Sequence, residues 1–141
     1  MSSKTREGGC LCGDLRLTTR SDPVRVIACH CATCKKRTGA AFGISIYFEE
    51  ADVTFTAGAP QQYEFNSDTS GRWIRNDHCP RCGTTVSWTL EMRPGMRGVA
   101  GGSFDDPTWF HIDKHIWTHS ACDGIAYPDD AEVHERALPV T

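Results

Sequence analysis

The chain has 141 residues, of which 39% are hydrophobic and 23% charged, with a formal charge of -3 and a pI near 6.0. That length predicts one domain with a buried core, and the composition is that of a globular protein rather than a disordered or fibrous one. No apolar run approaches the roughly 18 residues of a membrane span, and the slightly acidic balance argues against a dedicated nucleic-acid binder.

Residues 1–9 lack the apolar core of a secretory signal, so the expected location is the cytoplasm, where thiols stay free or metal-bound. Strands are predicted over 14–19 and 24–28, followed by one short helix over 31–38. Phe42, Ile44, Ile46 and Phe48 then alternate with smaller or more polar residues, as do Val86, Trp88 and Leu90, which is the period of a strand. Further short strands are predicted over 52–56, 61–65, 96–100, 111–117 and 132–137. Turn-rich segments such as Gly58-Ala59-Pro60, Asn66 to Gly71 and Asp105-Asp106-Pro107 separate them. The predicted fold class is all-β, with the site loops hanging between strands.

Eight cysteines are many for an intracellular chain of this size, and seven of them cluster. Cys10-Leu11-Cys12 is a CxC, Cys29-His30-Cys31-Ala32-Thr33-Cys34 a CxCxxC, and Cys79-Pro80-Arg81-Cys82-Gly83 a CPxCG, while Cys122 stands alone. In the CPxCG the proline stiffens the turn and the glycine permits positive φ, so that both sulfurs can converge on one metal. Residues i and i+2 of a strand sit about 6.6 Å apart, whereas two sulfurs on one zinc lie roughly 3.8 Å apart. Each CxC is therefore predicted to be a tight turn.

Tetrahedral zinc takes four ligands, and two divisions of the thiols are open. Cys10, Cys12, Cys79 and Cys82 can form a closed set, leaving Cys29, Cys31 and Cys34 as a second site with an open position. Alternatively, Cys31/Cys34 and Cys79/Cys82 form a zinc ribbon. The first is preferred, because the ribbon loop would far exceed the usual 15 to 20 residues and would strand three thiols. A structural zinc has no use for an open position, whereas a catalytic one needs it. Two closed structural zincs remain the rival, with His30, His78, His119 or Cys122 as the eighth ligand; disulfides and an iron–sulfur cluster are weaker alternatives.

The segments Gly9-Cys10-Leu11-Cys12-Gly13-Asp14-Leu15-Arg16, Cys29 to Gly39, Cys79 to Gly83 and Gly102-Ser103-Phe104-Asp105-Asp106 resemble the glutathione-dependent formaldehyde-activating enzyme family, over residues 8 to about 137. The family also includes a vertebrate centromere-associated protein. The resemblance implies an Mss4-like β fold and a zinc-dependent carbon–sulfur lyase that makes S-hydroxymethylglutathione. By position it implies that Cys10, Cys12, Cys79 and Cys82 hold a structural zinc and that Cys29, Cys31 and Cys34 hold a catalytic one. Its expected partner is a small thiol such as glutathione, with neither nucleic acid nor membrane involved. Two positions depart from the family pattern: His78 stands where members commonly have Phe, and Gly124 near where many carry Trp.

Three thiolates on a divalent zinc leave a net negative site, which Lys35, Lys36 and Arg37 are placed to offset. The same three residues are candidates for the carboxylates of glutathione, and Arg37 has the best shape for a bidentate pair. A solvated charged turn is the plain alternative. Asp105 and Asp106 suit a turn better than an acid/base pair, and His30 can orient the cluster from between two ligands. His111, His115 and His119 recur every four residues but are expected in strand and turn positions. Trp73, Trp88, Trp109 and Trp117 are expected in the core or the pocket wall. The functional alternative to the lyase is a non-catalytic zinc-binding module that docks another protein.

Overall fold

The computed structural model describes residues 4–139, and they are mostly β structure in two sheets. Strands β1 to β5 span Arg6–Gly9, Arg16–Thr19, Arg25–Cys29, Gly43–Glu49 and Val53–Ala57, with the helix α1, Ala32–Thr38, between β3 and β4. Then come β6 to β9, Gln61–Asn66, Trp73–His78, Thr85–Leu90 and Met96–Ala100, and β10 and β11, Lys114–Ile116 and Glu132–Val133. Short 3-10 turns at Glu50–Asp52, Gly101–Ser103 and Thr118–Ser120 complete the regular structure. Among the described residues, no helix is long and apolar enough to cross a membrane.

The chain divides into two compact units. The first comprises residues up to Arg25 and Ile46–Pro107. It holds the antiparallel set β1-β2-β5 and the meander β6-β7-β8-β9. Leu15, Leu17, Ile46, Phe48, Val86, Trp88, Val99 and Phe104 are buried there. Each such side chain contributes roughly 1.5–3 kcal/mol on removal from water. Val86 and Trp88 lie on β8, whose branched and aromatic residues suit a pleated, half-buried surface.

Gly98 of β9 stands opposite Trp88 of β8, and the indole occupies the space of a side chain: a Cβ on Gly98 would fall 2.2 Å from Trp88 Nε1. One buried polar knot lies in the same unit. Asp77 on β7 accepts from Gln62 Nε2 (3.0 Å), from Ser87 Oγ (2.6 Å) and from Arg97 Nη1, while Arg97 Nη2 reaches Glu50 (3.0 Å).

The second unit comprises Val26–Ser45 and Thr108 onward. β10 pairs in parallel with β3 on one side and β11 on the other, with Ile116 opposite Cys29. Val26, Ile27 and Ala28 of β3 are buried, together with His30 and His115. β3, β4, β5, β6, β8, β9 and α1 fall on or within one residue of the predicted segments. The predicted 111–117 and 132–137 shrink to three and two residues. β1 and β7 carried no strand signal, since Arg-Glu-Gly-Gly has no β-former and Trp-Ile-Arg-Asn-Asp-His hides its alternation behind buried polar Asp77.

Candidate metal centres

Two turns build the first cluster. Cys10 and Cys12 sit between β1 and β2, and Cys79 and Cys82 between β7 and β8. Both turns close in one way: the amide of the first cysteine donates to the carbonyl five residues on, Cys10 to Leu15 and Cys79 to Thr84, each at 3.0 Å. A glycine then bonds back to the first cysteine's carbonyl, Gly13 at 3.2 Å and Gly83 at 2.9 Å. Their φ values of 85° and 80° lie in the left-handed region that glycine tolerates best.

The ligand atoms of all four cysteines lie within 4.8 Å of one another. Cys12 Sγ lies 3.6 Å from Cys10 Sγ and 3.7 Å from Cys79 Sγ, close to the roughly 3.8 Å expected for two sulfurs on one zinc. Backbone amides aim at the sulfurs: Leu15 at Cys10 (3.2 Å), and Arg81 and Cys82 at Cys79 (3.4 and 3.5 Å). The Thr84 hydroxyl lies 3.2 Å from Cys82 Sγ. This hydroxyl, followed by the Thr84 and Cys12 amides, holds the Cys82 thiol down at about 5. Cys12 is pulled down by the Asp14 amide, yet burial and the Cys10, Cys79 and Cys82 sulfurs outweigh it and push the thiol up to about 12.

The second cluster is local. β3 delivers Cys29 at its last residue, Cys31 caps α1, and Cys34 lies in its first turn. The Cys34 amide donates to Cys31 Sγ at 3.4 Å, Cys29 Sγ donates to Cys31 Sγ at 3.4 Å, and all three sulfurs lie within 4.8 Å. Cys29 is buried and the other two are partly exposed. Hydrogen bonds from Cys29 and then Cys34 hold the Cys31 thiol down at about 2. Cys29 is pushed up by the Cys31 and Cys34 sulfurs and by burial. Cys34 is pulled down by Cys29, but Cys31 and burial push it up to about 11. Three crowded sulfurs thus share one negative charge by themselves, and full ionisation calls for a cation among them.

No further His, Cys, Asp or Glu joins this cluster among the described residues. His30 is fully buried, and its Nε2 lies 3.0 Å from His115 Nδ1. Phe42 and Tyr127 pack on that pair, at 5.0 and 5.7 Å from the His30 ring. Burial, then His115 and Lys35, hold His30 below the usual imidazole range. Cys122 is exposed and lies in neither cluster. His78 faces the Cys79 carbonyl, and His119 sits 2.9 Å from the Glu135 carbonyl.

The three cations end α1, where positive charge suits the helix dipole. Lys35 Nζ donates to the Ser120 carbonyl, and Ser120 Oγ donates to the His30 carbonyl at 3.0 Å, so one serine braces both flanks of the cluster. Lys36 is exposed. Arg37 lies against Gly43, its Nη2 2.5 Å from where a Cβ would stand, and its charge helps lower Cys34. Asp105 is held by Arg16 through two bonds, 2.9 and 2.5 Å, which keep its carboxyl below the usual range and make it a structural anion. Thr84 and Ser120 had no distinguishing motif in the sequence. Only the hydroxyl of Thr84 immediately after the CPxCG offered a cue.

These features define a class, an all-β protein with one four-cysteine and one three-cysteine cluster, each able to hold a metal ion. Within that class the chain belongs to the glutathione-dependent formaldehyde-activating enzyme family, whose model matches residues 5–120. It is similar in fold to a Rhodobacter sphaeroides protein solved as a Northeast Structural Genomics target, with a TM-score of 0.55 at 20% identity over 91% of this chain and 97% of that one. No curated protein matches the sequence.

Proposed function

We propose that this chain is a zinc-dependent carbon–sulfur lyase of the S-(hydroxymethyl)glutathione synthase type, joining glutathione or another small thiol to formaldehyde or a related carbonyl. One observation carries the reading: the family's two cysteine clusters differ here by one donor, four against three. Four sulfurs on two turns suit a closed structural zinc at Cys10, Cys12, Cys79 and Cys82. Three sulfurs suit a second zinc at Cys29, Cys31 and Cys34, with a position left for substrate. Both donor sets fit the metal by sulfur spacing and by the amides aimed at them.

Zinc bound by the three cysteines supplies positive charge that favours the thiolate of an incoming thiol and polarises a carbonyl oxygen. The residues of the chain do the rest. The substrate thiol gives up its proton to solvent, its sulfur attacks the carbonyl carbon, the C–S bond forms as the C=O π pair moves onto oxygen, and that oxygen takes a proton from solvent to give the S-hydroxymethyl hemithioacetal. Exposed Lys36 and half-buried Arg37 are assigned to the carboxylates of glutathione, Arg37 with the bidentate geometry. Lys35 has two ammonium donors to spare beyond its bond to Ser120 and joins them. Phe42 and Tyr127, packed on buried His30, form an apolar backing for the residue between Cys29 and Cys31. Residues 1–141 act as one domain of this family, with the core at about 8–137. The working location is the cytoplasm, where all eight cysteines stay reduced.

The test is two-dimensional NMR exchange between glutathione and its hydroxymethyl adduct in formaldehyde solution, with zinc-loaded wild type against Cys31→Ser at equal concentration. The expected result is exchange accelerated by wild type and returned to the uncatalysed rate by a folded Cys31→Ser. No acceleration by wild type carrying two zincs would refute formaldehyde–glutathione chemistry.

A further inference from the structure

We propose that Thr84 is a positioning residue of the four-cysteine cluster, its hydroxyl tying the Cys10–Cys12 turn to Cys82 so that both turns present their sulfurs together. The inference rests on the reading that this cluster holds a metal.

The hydroxyl geometry assigns the bonds. A threonine hydroxyl has one proton and two lone pairs. The Leu11 amide donates to Thr84 Oγ1 at 3.2 Å, and Cys82 Sγ lies 3.2 Å from the same oxygen; with Cys82 held as a thiolate by a metal, the sulfur has no proton to give and the hydroxyl is the donor. The Thr84 carbonyl accepts from the Cys79 amide at 3.0 Å, so the same residue closes its own turn. Thr84 thereby touches both turns across 73 positions of sequence.

The Cys12 amide also reaches Cys82 across the turns, and the remaining side-chain links are weaker holds. Leu11 is 89% exposed, so its side chain adds little packing, and residue 11 is held by its amide hydrogen bond to Thr84. Arg81 and Asp14 also bridge the turns at 3.3 Å, but their side chains are 70% and 54% exposed, and such pairs are screened and contribute little. A hydroxyl that both receives an amide and donates to a ligand sulfur fixes the direction of the sulfur lone pairs. Groups in that position commonly change metal affinity by about 10–100-fold when removed.

The experiment uses the full chain carrying Cys29→Ser, Cys31→Ser and Cys34→Ser, so that only the four-cysteine cluster takes metal. Zinc affinity is read by competition with a chromophoric chelator for Thr84, Thr84→Val and Thr84→Ser. Valine keeps the branched shape without the hydroxyl, and serine keeps the hydroxyl. The expected outcome is an affinity about 10–100-fold lower for Thr84→Val and within about 3-fold of the parent for Thr84→Ser. Should Thr84→Val fold only with metal, the rate at which excess chelator strips zinc from loaded protein ranks the three in the same order. Equal affinity or equal stripping rates for Thr84→Val and the parent would overturn the role of Thr84 while leaving the metal reading intact. So would a Thr84→Ser as weak as Thr84→Val. A parent that binds no zinc overturns both.

Discussion

Asp77→Ala tests whether the polar knot in the first unit stabilises the fold. Asp77 is 1% exposed, and its two oxygens accept from Gln62, Ser87 and Arg97. Alanine removes all three bonds at once and strands the Arg97 guanidinium, whose side chain is only 14% exposed. Breaking a buried pair from one side costs about 3–5 kcal/mol, because the surviving charge is left uncompensated. Arg97 keeps Glu50 at 3.0 Å, which brings that term down to about 1 kcal/mol, while the bonds from Gln62 and Ser87 to the charged carboxylate add about 1.5 kcal/mol each. A total near 4 kcal/mol follows. For a chain of 141 residues the unfolding entropy is about 0.3 kcal/mol per degree, so the melting temperature should fall by about 13 °C. Thermal unfolding followed by circular dichroism, with metal content matched, measures it. The double variant Asp77→Leu with Arg97→Met should recover most of the loss, since neither charge then remains buried. A fall of under about 3 °C for Asp77→Ala would refute the reasoning, because ordinary surface substitutions fall within that range.

Gly98→Ala should cost at least about 2 kcal/mol in urea unfolding, because its Cβ would stand 2.2 Å from Trp88 Nε1 and force the indole off its bond to the Tyr47 hydroxyl. A variant as stable as the parent would show that β8 and β9 have slack there. His115 offers a pH prediction. Burial holds His115 and His30 below the usual imidazole range, so the unfolded chain takes up protons below about pH 6.5 that the folded chain refuses. Stability should therefore decline as pH falls from about 6.5. His115→Asn, which can still bond His30, should flatten that slope, and an unchanged slope would sink the assignment.

The sequence carried the cysteine chemistry because spacing alone limits which sulfurs can meet. Spacing left two divisions open and favoured the one seen in space, where Cys29, Cys31 and Cys34 gather locally and Cys10 and Cys12 partner the CPxCG. The strands with apolar alternation or β-formers were equally legible, as Met96–Ala100 illustrates. β7 was not, because its buried face presents Asp77, whose place in a core depends on Arg97, Ser87 and Gln62 from other strands. No local pattern encodes such a partner set. β1 was hidden for a different reason. Gly8 is there because the Ser103 carbonyl lies 2.4 Å from where its Cβ would be, a contact made 95 positions away that leaves only an absence in the sequence. The bracing of Lys35 by Ser120 is long-range in the same sense, and it recasts one of the three expected substrate cations as partly structural.

The two clusters differ in sequence span as much as in donor number. Cys29, Cys31 and Cys34 fall within six consecutive residues, whereas Cys12 and Cys79 meet across 67 positions. In an unfolded chain the short set stays close along the sequence, so a thiophilic metal can find it before folding, and binding there adds less to the folding equilibrium than binding at the long set. The long set exists only once its two turns have come together, and a metal on it would act as a clip against loop entropy. During synthesis the short set is complete when residue 34 emerges, and the long one only after residue 82. Metal supply would therefore be felt twice: early by the three-cysteine cluster, and late by the four-cysteine one, whose occupancy would mark a finished fold.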